Sequence, residues 1–443
     1  RQMCIRDRMY SPLGIWVYNP EQEKWLSWLT NIIKRRSHNM VRAVSQDKQG
    51  RIWIGTDQDG IDILDKKTGE VRQLRNKAGD ERSLQNNTVM VLYEDSSETM
   101  WVGTYKKGIS YFNECAFKFG AEYIGDISCI EEDKEGYVWL GTNDVGIIYW
   151  NSVTGNRAAF PQKGMDKLTT DAIVCILKAS DGKLWIGTFG GGLICYDNGR
   201  IIHYKKNISE RQNSLAHNNV LALAEDKQGI IWIGTLGGGV QSLNPKTGLF
   251  TTYNTTSAGL ISDYVSSLCM GKEGSLWIGT AQGLSELDIE TKKVVNLEGT
   301  KSGKEYFSDQ NISQVYEDSR GLIWIGTCEG LNVYNPKTDE LIILGVEQGV
   351  SSPIISGIVE DGNENIWVTT ARGITNVIPA VDLKTGRYIF HSCVYDDKDG
   401  LQNSGFNLRS IKKLSSGEIL MGGLYGICLL YTSPSPRDRT RSR

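Results

Sequence analysis

Carboxylates that could serve as an acid and nucleophile pair stand at Asp57, Asp59, Asp144, Asp171, Asp263 and Glu329. A glycoside-cleaving pair needs two such groups at a fixed separation across one bond, and these are scattered along the chain. The four histidines, His38, His203, His217 and His391, show no H-x-x-x-H or H-E-x-x-H spacing, so no metal site is implied. The nine cysteines include no C-x-x-C, and most lie in apolar runs such as "ISCIEED", "AIVCIL" and "LICYD"; they read as buried free thiols. There is no G-x-S-x-G, and the glycine runs at 190–192 and 237–239 are turns rather than phosphate loops. No cofactor is expected. What remains is recognition chemistry. Flat aromatic rings with planar or charged polar groups suit sugars, and these stand at Tyr105, Phe189, Tyr264, Phe406 and Tyr425, with Lys106, Lys107, Asn143, Asp144, Gln282, Arg372 and Asn407.

All of these candidates fall at two places in a repeating unit. Trp53, Trp101, Trp139, Trp185, Trp232, Trp277, Trp324 and Trp367 each open a W-[ILV]-[GT]-T tetrad, and "EILMGGLYGI" is a further copy with Leu420 in the Trp place. The steps between copies are 48, 38, 46, 47, 45, 47, 43 and 53 residues. A period in the forties with strand-like content predicts an all-β propeller of four-stranded antiparallel blades. "GIWVYNPEQEK" at 14–24 matches "GLNVYNPKTDE" at 330–340, so the chain is expected to open part-way through a blade.

The copy "NNVLALAEDKQGIIWIGTLGGGVQSLNPKTGLFTTYNT" shows four strand-like runs, here named A to D with A innermost. D-x-x-G (Asp226 and Gly229, with Asp47/Gly50, Asp133/Gly136 and Asp318/Gly321 as copies) makes the A–B turn, and N-P-K-T-G makes the C–D turn. Strand B is apolar on both faces, so it must be covered on both sides. Stacked blades do that, with Trp supplying area between blades and Gly two residues on leaving room for a neighbour. The D–A and B–C loops share one face of the ring. That face varies from copy to copy, which is where a rigid scaffold carries binding. The Asn or Asp before strand A has the rival role of capping its own loop.

Charge narrows the partners. A net charge of −3 over 443 residues gives no general attraction to nucleic acid or anionic lipid. No apolar run approaches the ~18 residues of a membrane span. The ends "RQMCIRDR" and "YTSPSPRDRTRSR" match no repeat segment and resemble translated adapter sequence, so 1–9 and 431–443 are expected to be non-native.

The pattern N-x-V-x-x-[ILA]-x-E-D-x-x-G-x-[IL]-W-[IV]-G-T-x-x-G-G-[LI] followed by Y-N-P-x-T-G resembles two-component regulator propeller repeats. These occur in the periplasmic sensor region of Bacteroidetes hybrid two-component regulators. The segment "VYDDKDGLQNSGFNLRSIKKLSSGEILMGGLYGI" resembles the final blade of that family. The resemblance implies a seven-bladed ring over 119–430, with two to three blades of a truncated upstream propeller over 10–118. It further implies a periplasmic, non-catalytic sensor of an oligosaccharide or other small ligand, whose parent is a histidine kinase and whose membrane contact comes through segments outside this sequence. It leaves a homodimer of the intact parent open. The alternatives are a protein–protein interaction propeller and a propeller glycoside hydrolase or lyase.

Overall fold

The computed structural model describes strand backbone at 8–11, 14–19 and 24–26, and then residues 40–430 apart from 49, 66–70, 77–82, 96–98, 113–118, 152–153, 162–167, 169, 171, 208–212, 383–385, 397–398, 400 and 402–404. Asp171, His38 and most of both expected non-native ends lie outside the described residues. The described structure is all β apart from one short 3-10 turn, as the repeat predicts. It divides into two compact units, Arg1–Phe117 and Lys118–Arg443.

In the second unit, six four-stranded sheets follow one another at 127–160, 173–204, 220–253, 265–297, 312–344 and 355–395. The seventh takes three strands from the end of the unit, Phe406–Lys413, Ile419–Gly423 and Gly426–Leu430. Its outermost strand comes from the beginning, where Phe119–Tyr123 pairs antiparallel with Gly426–Leu430. The innermost strands adjoin in cyclic order, the last beside the first. The ring is thus closed by hydrogen bonds between its two ends, a strand exchange that no tetrad announces.

Packing explains the tetrad. Trp139, Trp185, Trp232, Trp277, Trp324 and Trp367 are all buried. Each packs forward, onto the residues flanking the Trp of the next blade: Trp185 clusters with Ile231 and Ile233, and Trp324 with Ile366 and Val368. One face of strand B therefore serves each neighbour. The glycine makes room for a β-branched side chain rather than a ring. A Cβ on Gly234 would lie 2.7 Å from Val265 Cγ1, the first inner-strand residue of the next blade. In the sixth blade Thr369 occupies this place and its cross-strand partner is Gly357, where an added Cβ would meet Thr369 Oγ1 at 2.6 Å. The small residue has moved across the ladder.

The tetrad also carries polar work. Trp232 Nε1 donates to Asp226 Oδ2 at 3.0 Å, and the same bond joins Trp53–Asp47, Trp101–Asp95, Trp139–Asp133, Trp324–Asp318 and Trp367–Asp361. The Asp of D-x-x-G thus ties its turn to the blade interior. Ala179 stands in that place before Trp185, and Trp185 Nε1 is buried without a partner. The Glu preceding the Asp reaches back a blade: Glu225 accepts from Ser180 N at 2.7 Å and Glu360 from Ser319 N at 2.8 Å. The tetrad Thr closes the B–C loop, as when Thr235 Oγ1 donates to the Gly239 carbonyl at 3.0 Å.

Leu420 fills less space than Trp. At that seam Trp150, from the third strand of the first blade, enters the same cluster as Leu420, Leu140 and Ile427 and is 2% exposed.

In the first unit, one four-stranded sheet (41–74) stands in sequence between two three-stranded ones. Trp53 is buried against Phe112 of the sheet that follows. Trp101, in the last sheet of the unit, is 41% exposed. The tetrad buries its Trp only where a following sheet covers it.

Candidate ligand-binding site

Six of the seven B–C loops of the ring spring from a Thr lock of the kind described, the last blade having Gly423 in the Thr place, and the D–A loops are pinned by their own Asx groups. Asn218 Oδ1 accepts from Lys206 N at 2.8 Å, Asn219 Oδ1 from Gly190 N at 2.7 Å, and Asp263 Oδ1 from Thr255 N at 2.7 Å. Gly239 ends one such loop with φ 73°, and a Cβ there would stand 2.4 Å from the Tyr253 carbonyl. Only glycine suits both the left-handed backbone and that contact. The loops are therefore short, stiff mounts for whatever they expose.

They expose rings. Phe189 on a B–C loop is 55% exposed, Tyr264 at the entry to an inner strand 55%, and Tyr425 on the last B–C loop 61%. Gln282, Arg372 and Asp144 are also exposed on these loops. Asn143 and Asn407 are brought together, but by a carboxylate: Asp126 Oδ2 accepts from Asn143 Nδ2 at 2.8 Å and Asp126 Oδ1 from Asn407 Nδ2 at 2.6 Å. Asn407 also donates to the Ile127 carbonyl at 2.8 Å. Both amides thus hold the seam between the last and first blades. Phe406 is a correction. It is buried with Trp367, Phe119 and Leu401, because the first residue of every inner strand points into the blade stack, and so it offers no ring to solvent.

Tyr105, Lys106 and Lys107 belong to the first unit, where they are exposed and the Lys106 ammonium lies 5.1 Å from the Tyr105 ring centroid. Asp57 and Asp59 are also there, in ion pairs with Arg42 at 2.7 Å and Arg75 at 2.6 Å. The Arg42 guanidinium holds the Asp57 carboxyl below its ordinary value. In the ring, Asp144, Asp263 and Glu329 stand in different blades. Among the described residues no group of three or more His, Cys, Asp or Glu could hold a metal ion. His217 Nδ1 accepts from Asn219 N at 3.0 Å, and burial with nearby Lys206 lowers its pKa. Burial pushes the thiols of Cys175, Cys195 and Cys428 up to about 12 and that of Cys269 up to about 11, which makes them poor nucleophiles.

The inner strand of the last blade contributes residues that the motif reading missed. In the other blades of the ring one extra residue bulges near the start of strand A: from Val220↔Thr235 to Leu223↔Ile233, three residues oppose two. In the last blade, from Phe406↔Gly423 to Ile411↔Met421, five oppose two. This larger bulge sets Leu408 at 51% exposure and Arg409 at φ 60°. The Arg409 guanidinium donates to the Ser266 carbonyl in the fourth blade of the ring. Exposed Leu424, Val145, Ile354 and Tyr306 also lie on loops of this face. The signal for the bulge was present in the sequence, since "FNLRSI" is longer than the matching "VLAL" of other copies.

The family model described as two component regulator propeller matches this chain at 36–58, 83–106, 124–144, 167–190, 214–237, 259–282 and 306–329. Each segment runs from the end of a D–A loop to the B–C loop. The chain belongs to the two-component regulator propeller family. Among curated proteins, this propeller is 26% identical over 258 residues to histidine kinase P4 of Formosa agariphila, which covers 57% of the chain and 18% of the kinase. Among solved structures it resembles the extracellular domain of the hybrid two-component system BT3049 from B. thetaiotaomicron, with TM-score 0.64, 24% identity, and 98% of this chain matched to 55% of that one. It also resembles the extracellular domain of BT4673 from the same organism, with TM-score 0.57, 20% identity, and 97% of this chain matched to 58% of that one. A catalytically inactive virginiamycin B lyase from Staphylococcus aureus matches 70% of the chain at TM-score 0.51 and 13% identity. These structural likenesses show the fold. The propeller spans little more than half of the solved domains and under a fifth of the kinase.

Proposed function

We propose that this chain is the ligand-sensing part of an extracytoplasmic, periplasmic region of a two-component signalling protein, and that it binds an oligosaccharide on the face bearing the D–A and B–C loops without cleaving it. The observation that carries the reading is the contrast between the two faces of the ring. On the turn face the recurring carboxylates Asp226, Asp318, Asp361, Glu225 and Glu360 are spent on turn backbone and Trp Nε1. On the loop face Phe189, Tyr264 and Tyr425 stand half or more exposed on stiff mounts. Exposed rings on a pre-ordered frame bind sugars at low ordering cost. The structural relatives, extracellular domains of signalling systems, support the setting. The kinase relative supports a parent whose catalytic part lies outside this sequence. No nucleic-acid contact is expected of a chain with net charge −3.

The test is calorimetric titration of the chain against a panel of plant and host oligosaccharides, with product analysis after prolonged incubation. Saturable binding of a panel member recovered intact supports the reading. Failure of every member to bind, or release of shortened products, overturns it.

A further inference from the structure

A guanidinium inside the ring stands apart from the pattern of the repeats. Arg409 sits on the enlarged bulge of the last inner strand, in left-handed backbone that a non-glycine residue rarely adopts. Its side chain crosses to the fourth blade, three blades away in one sense around the ring and four in the other, and bonds the Ser266 carbonyl. That carbonyl is two residues inside the exposed Tyr264. The guanidinium is therefore enclosed by the ring just beneath the loop face, yet the side chain keeps partial solvent exposure. One of its five N–H donors has a partner among the described residues.

Among the described residues no carboxylate pairs with Arg409. The groups whose charge reaches Arg409 are the thiols of Cys175 and Cys129, and burial holds both protonated. The hydroxyls on neighbouring inner strands are committed elsewhere: Ser128, Ser266, Ser313 and Ser410 each donate to the first inner-strand carbonyl of the following blade. Asp126, the carboxylate at the same seam, is held by Asn143 and Asn407. A buried cation without a paired carboxylate is unfavourable. A two-residue insertion and a left-handed Arg place one here, and bulges of this kind re-aim side chains beside functional sites.

We propose that Arg409 is an anion-recognising residue that selects oligosaccharides bearing a carboxylate or sulfate, with Tyr264 stacking on the sugar that carries the group. The proposal rests on the loop-face reading above and narrows its ligand class. A planar guanidinium with free paired donors matches a carboxylate or sulfate edge in bidentate fashion, whereas a neutral sugar leaves the charge uncompensated.

The experiment titrates the full chain with a galacturonate oligomer, a sulfated galactan oligomer, a neutral galactan oligomer of equal length, and sodium sulfate alone. It compares the wild type with Arg409→Gln and Arg409→Lys. The expected result is that one acidic oligomer binds at least about tenfold more tightly than the neutral one, and that Arg409→Gln removes this preference. The two acidic arms tell carboxylate from sulfate, and sodium sulfate, which stabilises folded proteins generally, should raise the melting temperature of the wild type more than that of Arg409→Gln only if sulfate is the group. Should Arg409→Gln fail to fold, Arg409→Lys retains the charge and should lose most of the preference with the lost bidentate geometry. Equal binding of acidic and neutral oligomers by the wild type overturns the anion proposal and leaves the loop-face reading standing. Absence of binding by every sugar overturns both.

Discussion

Asp318 gives the sharpest test of how the repeat holds together. Its carboxylate is fully buried, and it accepts from Arg320 N at 2.9 Å, Leu322 N at 3.0 Å, Arg320 Nε at 3.0 Å and Trp324 Nε1 at 2.9 Å. Asp318→Ala leaves the Leu322 N–H and Trp324 Nε1 buried without acceptors, and each such donor costs about 1–3 kcal/mol. Arg320 keeps ion contacts to Glu360 at 3.7 Å and Glu364 at 3.5 Å, which limits the damage on that side. The expected loss is about 3–5 kcal/mol. Asp318→Asn keeps one acceptor oxygen but turns an NH₂ toward either the backbone N–H groups or the indole N–H, so it should fall between wild type and Ala. The second blade supplies a natural control: with Ala179 in the Asp place, Trp185 Nε1 has no partner. Ala179→Asp should therefore run the other way and stabilise by about 1 kcal/mol. The assay is differential scanning calorimetry of the four proteins. A melting temperature for Asp318→Ala within about 1 °C of wild type would refute the reasoning, because it would mean that the Asp–indole bond contributes nothing.

Other outcomes follow from the same contacts. Gly357→Ala and Thr369→Gly should each destabilise alone, the first by crowding Thr369 Oγ1 and Ile411 and the second by leaving a gap. Together they recreate the Ala222/Gly234 pairing of the third blade, so a double-mutant cycle by urea unfolding should show the pair less harmful than the sum. Trp232→Ala should cost about 3–5 kcal/mol in the same assay, because the ring is buried against the next blade. In native alkylation followed by mass spectrometry, exposed Cys328 and Cys393 should react well before buried Cys129, Cys195 and Cys428. Tyr425→Ala or Arg372→Ala should weaken oligosaccharide binding by about 1–3 kcal/mol if the cut side chain touches the ligand, without shifting the melting temperature.

The architecture was legible because its signals repeat. Ile231 to Thr235 is apolar on both faces, and only a stacked blade satisfies both. The turn role of Asp226 was legible too, but its bond to Trp232 Nε1 was not, since it spans six residues across a hairpin whose twist the one-dimensional pattern does not carry. Compensations were invisible for a related reason. Gly357 for Thr369, and Trp150 for Leu420, exchange volume between strands or between blades, so each copy taken alone shows only a departure from consensus. The strand Phe119–Tyr123 that completes the last blade shares no tetrad with it, because closure is made by backbone pairing. On the loop face, exposure of Phe189, Tyr264 and Tyr425 followed from their place on the loops that vary from copy to copy. Phe406 misled because it stands next to Asn407 at a loop end, yet belongs to the inward-facing register of its strand. Arg409 went unnoticed because its significance lies in a bulge and in a carbonyl three blades away.

The central claim, that ligand sits on the loop face of the ring, is tested most directly by hydrogen–deuterium exchange of the chain with and without the tightest-binding oligosaccharide. Protection is predicted in the B–C loops near 189–192, 236–239 and 423–426 and at the inner-strand entries near 262–265 and 406–410, with the D-x-x-G turns near 226–229 and 318–321 unchanged. Protection confined to those turns, with the loop face unaffected, would contradict the account.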